Sequence, residues 1–290
     1  MAACDHETVP GETTAIGDDA ITVASFDFPE SRVLAEIYAQ ALEGRGFRVE
    51  RALGIGPREL VEPALQRGLV ELVPEYAGSA LTFIGGSASS DGDVTHHQLV
   101  SALGSRGLTA LSPAPAQDRN AFAVLATTAE DLGIRTLSDL VPHAGEIAFG
   151  GPTECEQRDL CLRGLEGAYG LRFKEFVPLD AGGPLTIQAL LGGTIGVGLL
   201  FTSDPAIDGG DLVELVDDRG LQPAENVTPV VLQSTLERFG SRFADAVNSV
   251  SALLRTSDLR QMNAALAAGR SPFAVARAWL LARGFAVSPG

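Results

Sequence analysis

An α/β fold is what this chain predicts, and three observations carry the expectation. Short apolar runs alternate with stretches of helical period from residue 21 onward, and glycines and prolines punctuate the changes of period. The chain's 290 residues, 45% of them hydrophobic, are enough to bury either one large core or two smaller ones. Strand and helix in alternation build a mostly parallel sheet covered by helices on both faces.

Residues 21–25 read as a short buried strand leading into Phe26-Asp27-Phe28-Pro29. The period then lengthens, with Val33, Leu34, Ile37, Tyr38 and Leu42 on one helical face, Pro29 and Glu30 suited to the helix start, and Gly44 closing it. Phe28 is expected to anchor this helix and Tyr38 to pack on its face between lobes. Residues 47–51 form a second strand, and Gly54-Ile55-Gly56-Pro57 turns into a helix with Leu60, Val61, Ala64 and Leu65 on one side. A third strand, 69–73, ends at a Pro74-Glu75-Tyr76 turn. Parallel sheets gather ligands at the carboxyl ends of their strands, so 25–28, 54–56 and 75–79 are expected to meet in one crevice.

Residues 87–95 are a polar surface loop, and His96 and His97, on the helix that follows, point to different faces and read as surface residues. Ser112-Pro113-Ala114-Pro115 stiffens a crossing segment, the first candidate hinge, and a second domain opens with a strand at 120–126. There follow a helix start at 136–140, a strand at 147–151, helices at 162–169 and 185–191, and strands at 194–201 and 212–216. Residues 223–231 cross back, and 236–279 are mostly helical.

The formal charge of −16, from 21 Lys and Arg against 37 Asp and Glu, repels polyanions and argues against nucleic acid as a partner. No apolar stretch reaches the roughly 18 residues that a membrane span needs. Gly-x-Ser-x-Gly and His-Glu-x-x-His are absent, Gly182-Gly183 and Gly192-Gly193 lack the Lys-Ser/Thr of a phosphate loop, and Gly54 and Gly56 lack a third glycine. With four histidines, a general base would have to be a carboxylate such as Asp27, Glu75, Asp180 or Asp204, and no acid and base pairing is visible. The expectation is therefore no enzyme, no cofactor and no metal, with a cleft enzyme or sensor domain as the alternative.

Cys155 and Cys161 lie six apart with nothing nearby to complete a zinc set, so they read as a disulfide-closed loop, the alternative being two buried thiols. A disulfide would place the protein outside the reducing cytosol. Cys4 follows Ala2-Ala3, the residue set around a bacterial lipoprotein cysteine, so it is either a lipid-bearing residue on a tether of residues 1–18 or an incidental thiol. Tyr76 is one of three tyrosines and sits in a Pro/Gly-rich segment. Its ring suits a quaternary ammonium ligand, and the other reading is a strand-capping residue packed on its neighbours.

Taken in order, Ser25-Phe26-Asp27-Phe28-Pro29-Glu30, Ile37-Tyr38-Ala39-Gln40, Leu72-Val73-Pro74-Glu75-Tyr76-Ala77-Gly78-Ser79 and Phe201-Thr202-Ser203-Asp204-Pro205 resemble the substrate-binding proteins of ABC importers for glycine betaine, carnitine, choline and related osmoprotectants. The likeness spans roughly residues 20–284. It implies a two-lobed, type II periplasmic-binding-protein-like fold, each lobe a central, mostly parallel sheet flanked by helices. Residues 19–114 and 225–290 would form lobe I and 115–224 lobe II. It further implies a monomeric receptor at the cell surface or in the periplasm that passes a small zwitterion or cation to a membrane permease. A bulkier aromatic or betaine-like solute such as ergothioneine is the alternative ligand.

The resemblance places an aromatic cage at Tyr76, Phe122 and Phe201 and a carboxylate clamp at Arg158. Ser25, Ser79, Asn120 and Thr202 would add hydrogen bonds, and Asp204 either meets a cation or caps the turn after it. The chain departs from the family at Phe26, where a Lys or another polar residue is usual, and at Val73, where a second Tyr is usual. Phe26 and Phe28 near the cleft would make room for a bulkier solute.

Overall fold

In a computed structural model the described residues are 19–287. The expected tether, with Cys4, lies outside them. The first sheet has strand order β2-β1-β3-β10-β4 and is built from β1 (Ala20–Ala24), β2 (Arg48–Ala52), β3 (Leu72–Tyr76), β4 (Leu108–Ala110) and β10 (Val227–Leu232). The second has order β7-β6-β8-β5-β9, from β5 (Asn120–Leu125), β6 (Ala148–Pro152), β7 (Glu175–Leu179), β8 (Val197–Phe201) and β9 (Leu212–Glu214). In each sheet four strands run one way and a single strand, β10 or β5, runs against them. The two sheets thus share one plan.

Helices α1 (Pro29–Gly44), α2 (Arg58–Gln66), α3 (Ala77–Phe83), α4 (Gly92–Gly104), α8 (Gln233–Ser251), α9 (Thr256–Ala267) and α10 (Pro272–Ala282) cover the first sheet. Helices α5 (Ala126–Leu132), α6 (Leu162–Gly164) and α7 (Pro184–Leu191) belong with the second. Proline at the first position of α1 pre-sets its φ, and Glu30 complements the helix dipole there. Val33, Leu34, Ile37, Tyr38 and Leu42 are fully buried against α8, α9 and α10, each contributing about 1.5–3 kcal/mol of burial. Tyr38 does not sit between lobes: its hydroxyl shares a hydrogen bond with Ser251 of α8 inside the first core (3.0 Å).

Two local expectations are corrected, and one strand had not been expected. Pro74-Glu75-Tyr76 is strand rather than turn, because β10 pairs along it and sets Pro229 opposite Pro74. Neither residue has an N–H to give, so the pair falls where the antiparallel ladder asks for none. Thr136 bridges Val216 and residues 137–140 are turns, since the Asp139 carboxylate accepts from the amides of Arg135 and Thr136 and closes the chain locally. The edge strand β7, carrying Pro178, lacked the apolar alternation that would have announced it.

Strand alternation also sorts the third strand by face. Leu72 and Tyr76 point to the core under α1, while Val73 points to the opposite core with Val61 and Leu81 and is not among the residues lining the cleft. Cys155 and Cys161 are disulfide-bonded and buried in the core of the second sheet. Two segments connect the sheets: 111–119, running out of the first, and 222–226, returning. They are joined by a bridge between Gln117 and Asn226 and by the Asp118 amide donating to the Glu225 carbonyl (3.2 Å). No helix among the described residues is long and apolar enough to cross a membrane.

Candidate functional site

Between the two sheets lies a cleft of about 470 Å³, entered by the loops at one edge of each. The carboxyl ends of β1, β2 and β3 deliver Phe26, Asp27 and Phe28, then Pro57, Arg58 and Glu59, then Tyr76 and Ser79. Because β5 is antiparallel to β8, its amino end lies at the same edge as the carboxyl end of β8. That places Asp118, Arg119 and Asn120 beside Phe201. Gln222, Pro223 and Glu225 on the returning segment and Leu160 complete the lining.

Backbone geometry makes the second of these loops. Gly54 holds φ at +68°, a backbone conformation that strains other residues, and a Cβ there would also have to displace the end of the Arg32 side chain, 2.6 Å away. Its amide donates to the Ser25 hydroxyl (2.8 Å), tying the loop after β2 to the loop after β1. On the other wall Gly182, at φ +67°, lets the chain pass within 2.9 Å of the Phe201 ring, measured from where its Cβ would be.

Aromatic rings line the first wall. Phe26 and Phe28 stack at 5.9 Å with planes 8° apart, and Phe28 and Tyr76 at 6.1 Å and 30°. Phe28 is 38% exposed and lines the cleft. The Tyr76 ring is 6% exposed and its hydroxyl donates to Glu30 (2.6 Å), whose other oxygen accepts from Asn263 of α9 (2.6 Å). Burial, followed by the neighbouring Glu30 carboxylate, holds the phenol protonated far above its ordinary range.

Charge is arranged around these rings. The Arg58 guanidinium makes a two-pronged contact with buried Glu75 (Nε to Oε1 3.1 Å, Nη2 to Oε2 2.9 Å) and lies 5.1 Å from the Phe26 ring centroid. Burial opposes the arginine's charge, but the Glu75 carboxylate more than offsets it and raises its pKa. Burial also raises Glu75 and Glu225, the latter taking the Ser79 hydroxyl (2.8 Å) and amide (3.0 Å). Asp118 is pushed up to about 8 by burial and then by the charge of Glu30. A further space of about 600 Å³ opens beyond Phe28, Asp118 and Phe201, bounded by Glu30, Ser203, Asn263 and Leu266.

Of the residues expected at the site, Tyr76, Phe201, Phe26, Ser79 and Asn120 line the cleft. Phe122 does not: it is 1% exposed, 5.9 Å from Phe149 in the second sheet's core, because it lies two residues in from the cleft end of β5, opposite Leu199 of β8. Arg158 also lies outside the lining, its side chain 62% exposed and paired with Glu154 one helical turn back (3.4 Å). Ser25 is buried and spent on backbone, donating to the Phe26 carbonyl (2.9 Å). Thr202 bonds the Gln117 carbonyl (3.0 Å), and Asp204 caps the turn after it through the Ala206 amide (2.8 Å).

Sequence reasoning passed over Arg58, Asp118, Arg119 and Glu225. The Gly-x-Gly-Pro turn before Arg58 was a usable signal, since it ends a strand at the ligand edge. Nothing local marks Asp118 or Glu225, which reach the cleft because the two connecting segments run side by side.

Over residues 19–282 the chain matches the protein family described as the substrate binding domain of ABC-type glycine betaine transport system. It is 29% identical over 250 residues, 82% of each chain, to glycine betaine-binding protein YehZ of Escherichia coli strain K12. With a glycine-betaine-binding protein of Pseudomonas aeruginosa it shares 28% identity over 258 residues, 85% of this chain and 82% of that one. The structure of apo YehZ superposes with a TM-score of 0.78 at 26% identity, covering 92% of this chain and 99% of the other. A crystal structure described as a glycine betaine/carnitine/choline ABC transporter gives 0.85 at 20% identity, with 91% and 99% covered, and speaks for the fold.

Proposed function

Because the chain belongs to the family of substrate-binding domains of ABC-type glycine betaine transport systems, we propose that it is the extracytoplasmic receptor of an importer and closes its cleft on a small quaternary ammonium compound. The observation that carries the reading is the stack of Phe26, Phe28 and Tyr76 facing Phe201 across a cleft lined by Asp27, Glu59, Asp118 and Glu225. A trimethylammonium group is too diffuse to hydrogen-bond, but the negative faces of rings and nearby carboxylates attract it, at about 1–2 kcal/mol per desolvated ring.

Residues 19–114 and 225–290 act as one lobe and 115–224 as the other, which is supported by the partition of strands between the two sheets. Tyr76, Phe26, Phe28 and Phe201 hold the head group, with Ser79 and Asn120 as polar partners. A ligand touching both walls favours the closed form, and the closed form offers a membrane permease a different surface from the open one. One copy of the chain suffices, since it supplies both walls. A lipid on Cys4 would tether the receptor to the membrane, and the mass of the native protein would reveal it.

Isothermal titration against glycine betaine, carnitine, choline, proline betaine and ergothioneine tests the reading. A micromolar constant for one of them is expected, with Tyr76→Ala weakening it at least about tenfold. Silence across the panel would mean a solute of another class.

A further inference from the structure

Betaines and choline carry the same trimethylammonium head and differ at the other end, a carboxylate in one and an alcohol in the other. A cleft that prefers a betaine must answer that carboxylate with a positive charge or a fork of N–H groups. Here the arginine nearest the aromatic stack is already engaged. Arg58 gives Nε and Nη2 to both oxygens of Glu75, and freeing it would leave that buried carboxylate unpaired. Arg119 lines the opposite wall, where it lies in the field of Glu214, itself the ion-pair partner of Arg260 (3.7 Å), and Arg158 stands outside the lining.

Acids outnumber these cations. Asp27, Glu59, Asp118 and Glu225 line the cleft, and Glu30 borders the adjoining space. Asp118 belongs to the lining of both spaces, next to Phe28 and Phe201, where it accepts from the Ser203 amide (3.3 Å). Building on the receptor reading, we propose that the cleft selects a net-cationic quaternary ammonium alcohol, of choline's chemistry, over a zwitterionic betaine, and that Asp118 is the residue that sets this preference.

The carboxylates attract the head group of either solute but repel the far end of a betaine alone, so the difference in affinity is made there. The titration of Asp118 agrees. Burial and the charges of Glu30 from α1 and Glu225 from the returning segment hold its proton on up to about pH 8. Tyr76 from β3 faces it as well. A bound cation takes the place of that proton, so choline affinity should rise with pH between 6 and 9, roughly the window around that value.

Choline and glycine betaine titrated into the wild type and into Asp118→Asn test the inference. Choline is expected to bind at least about tenfold more tightly in the wild type. Asp118→Asn should lose about tenfold for choline, little for glycine betaine, and the pH dependence with it. Glycine betaine bound as tightly as choline or more tightly would overturn the inference and leave the receptor reading standing. Equal losses for both solutes in Asp118→Asn would remove the selecting role of Asp118. Silence from both, together with carnitine and proline betaine, would overturn the receptor reading and the inference with it. Should Asp118→Asn fail to fold, the wild-type ratio and its pH dependence decide.

Discussion

Tyr76 has two roles that substitution can separate. Its ring stacks on Phe28, and its hydroxyl satisfies Glu30, a carboxylate 6% exposed. Tyr76→Phe keeps the ring and leaves Glu30 short of a donor, so a stability loss of about 1–3 kcal/mol is expected with the ring contribution to binding retained. Denaturant unfolding measures the first and calorimetry the second. Arg158→Ala is expected to change affinity by less than about twofold for carboxylated and uncharged-tail solutes alike, because an exposed pair with Glu154 contributes little. Asp118 is informative without any ligand. Its folded pKa, about 8, stands above the ordinary aspartate value of 3.8, so its contribution to stability is full below about pH 4 and is lost as pH rises through 8. Asp118→Asn should therefore flatten the fall in melting temperature between pH 5 and 8, and an unchanged slope would assign the fall to other groups.

The loop closed by Cys155 and Cys161 does more than bridge β6 and α6. Leu160, within it, lines the cleft, and its carbonyl accepts from Asn120 (3.1 Å) and Gln222 (2.9 Å), two other lining residues. Gln222 is in turn set by Asp217, which accepts its amide (2.7 Å) and the hydroxyl of Tyr169. One wall of the cleft thus hangs on a covalently closed loop. Closing so short a loop is worth about 2 kcal/mol through the unfolded chain. A double serine variant of Cys155 and Cys161, or the reduced protein, is expected to melt earlier and to bind several-fold more weakly while keeping its circular dichroism. Unaltered affinity on reduction would confine the disulfide to stability.

Closure belongs to the assembly of both sheets. The connecting segments 111–119 and 222–226 run together at the back of the cleft, and α9 reaches across to the second sheet's side. Arg260 donates to the Thr202 carbonyl (2.7 Å) and pairs with Asp208 (2.7 Å), and Asn263 donates to the Ser203 carbonyl (3.1 Å). Asn263 also holds Glu30, the partner of Tyr76, so the aromatic wall and the opposite side are mechanically linked. Saturating ligand is expected to shrink the radius of gyration in small-angle scattering, and at a hundred times Kd to add about 2.7 kcal/mol of stability. Scattering that stays the same with ligand bound would argue against closure as the signal.

Much of this was legible before any coordinates. The change from strand to helical period, the Pro-Glu start of α1 and the proline-stiffened segment after β4 are local patterns, and local patterns report which face of an element is apolar. The end of the first strand, which carries Phe26 and Phe28, was placed correctly for the same reason, whereas the third strand runs on to Tyr76 because β10 pairs along it. What covers a face is not written locally. Only the packed chain decided that β10 runs antiparallel between β3 and β4, that Phe122 and Val73 turn into cores, and that Arg158 stays in solvent. It also decided that Arg58 spends its charge on Glu75 while Asp118 and Glu225, 107 residues apart in number, face one cleft. Burial and field are sums over neighbours brought together by strand order, and strand order depends on contacts far apart along the chain.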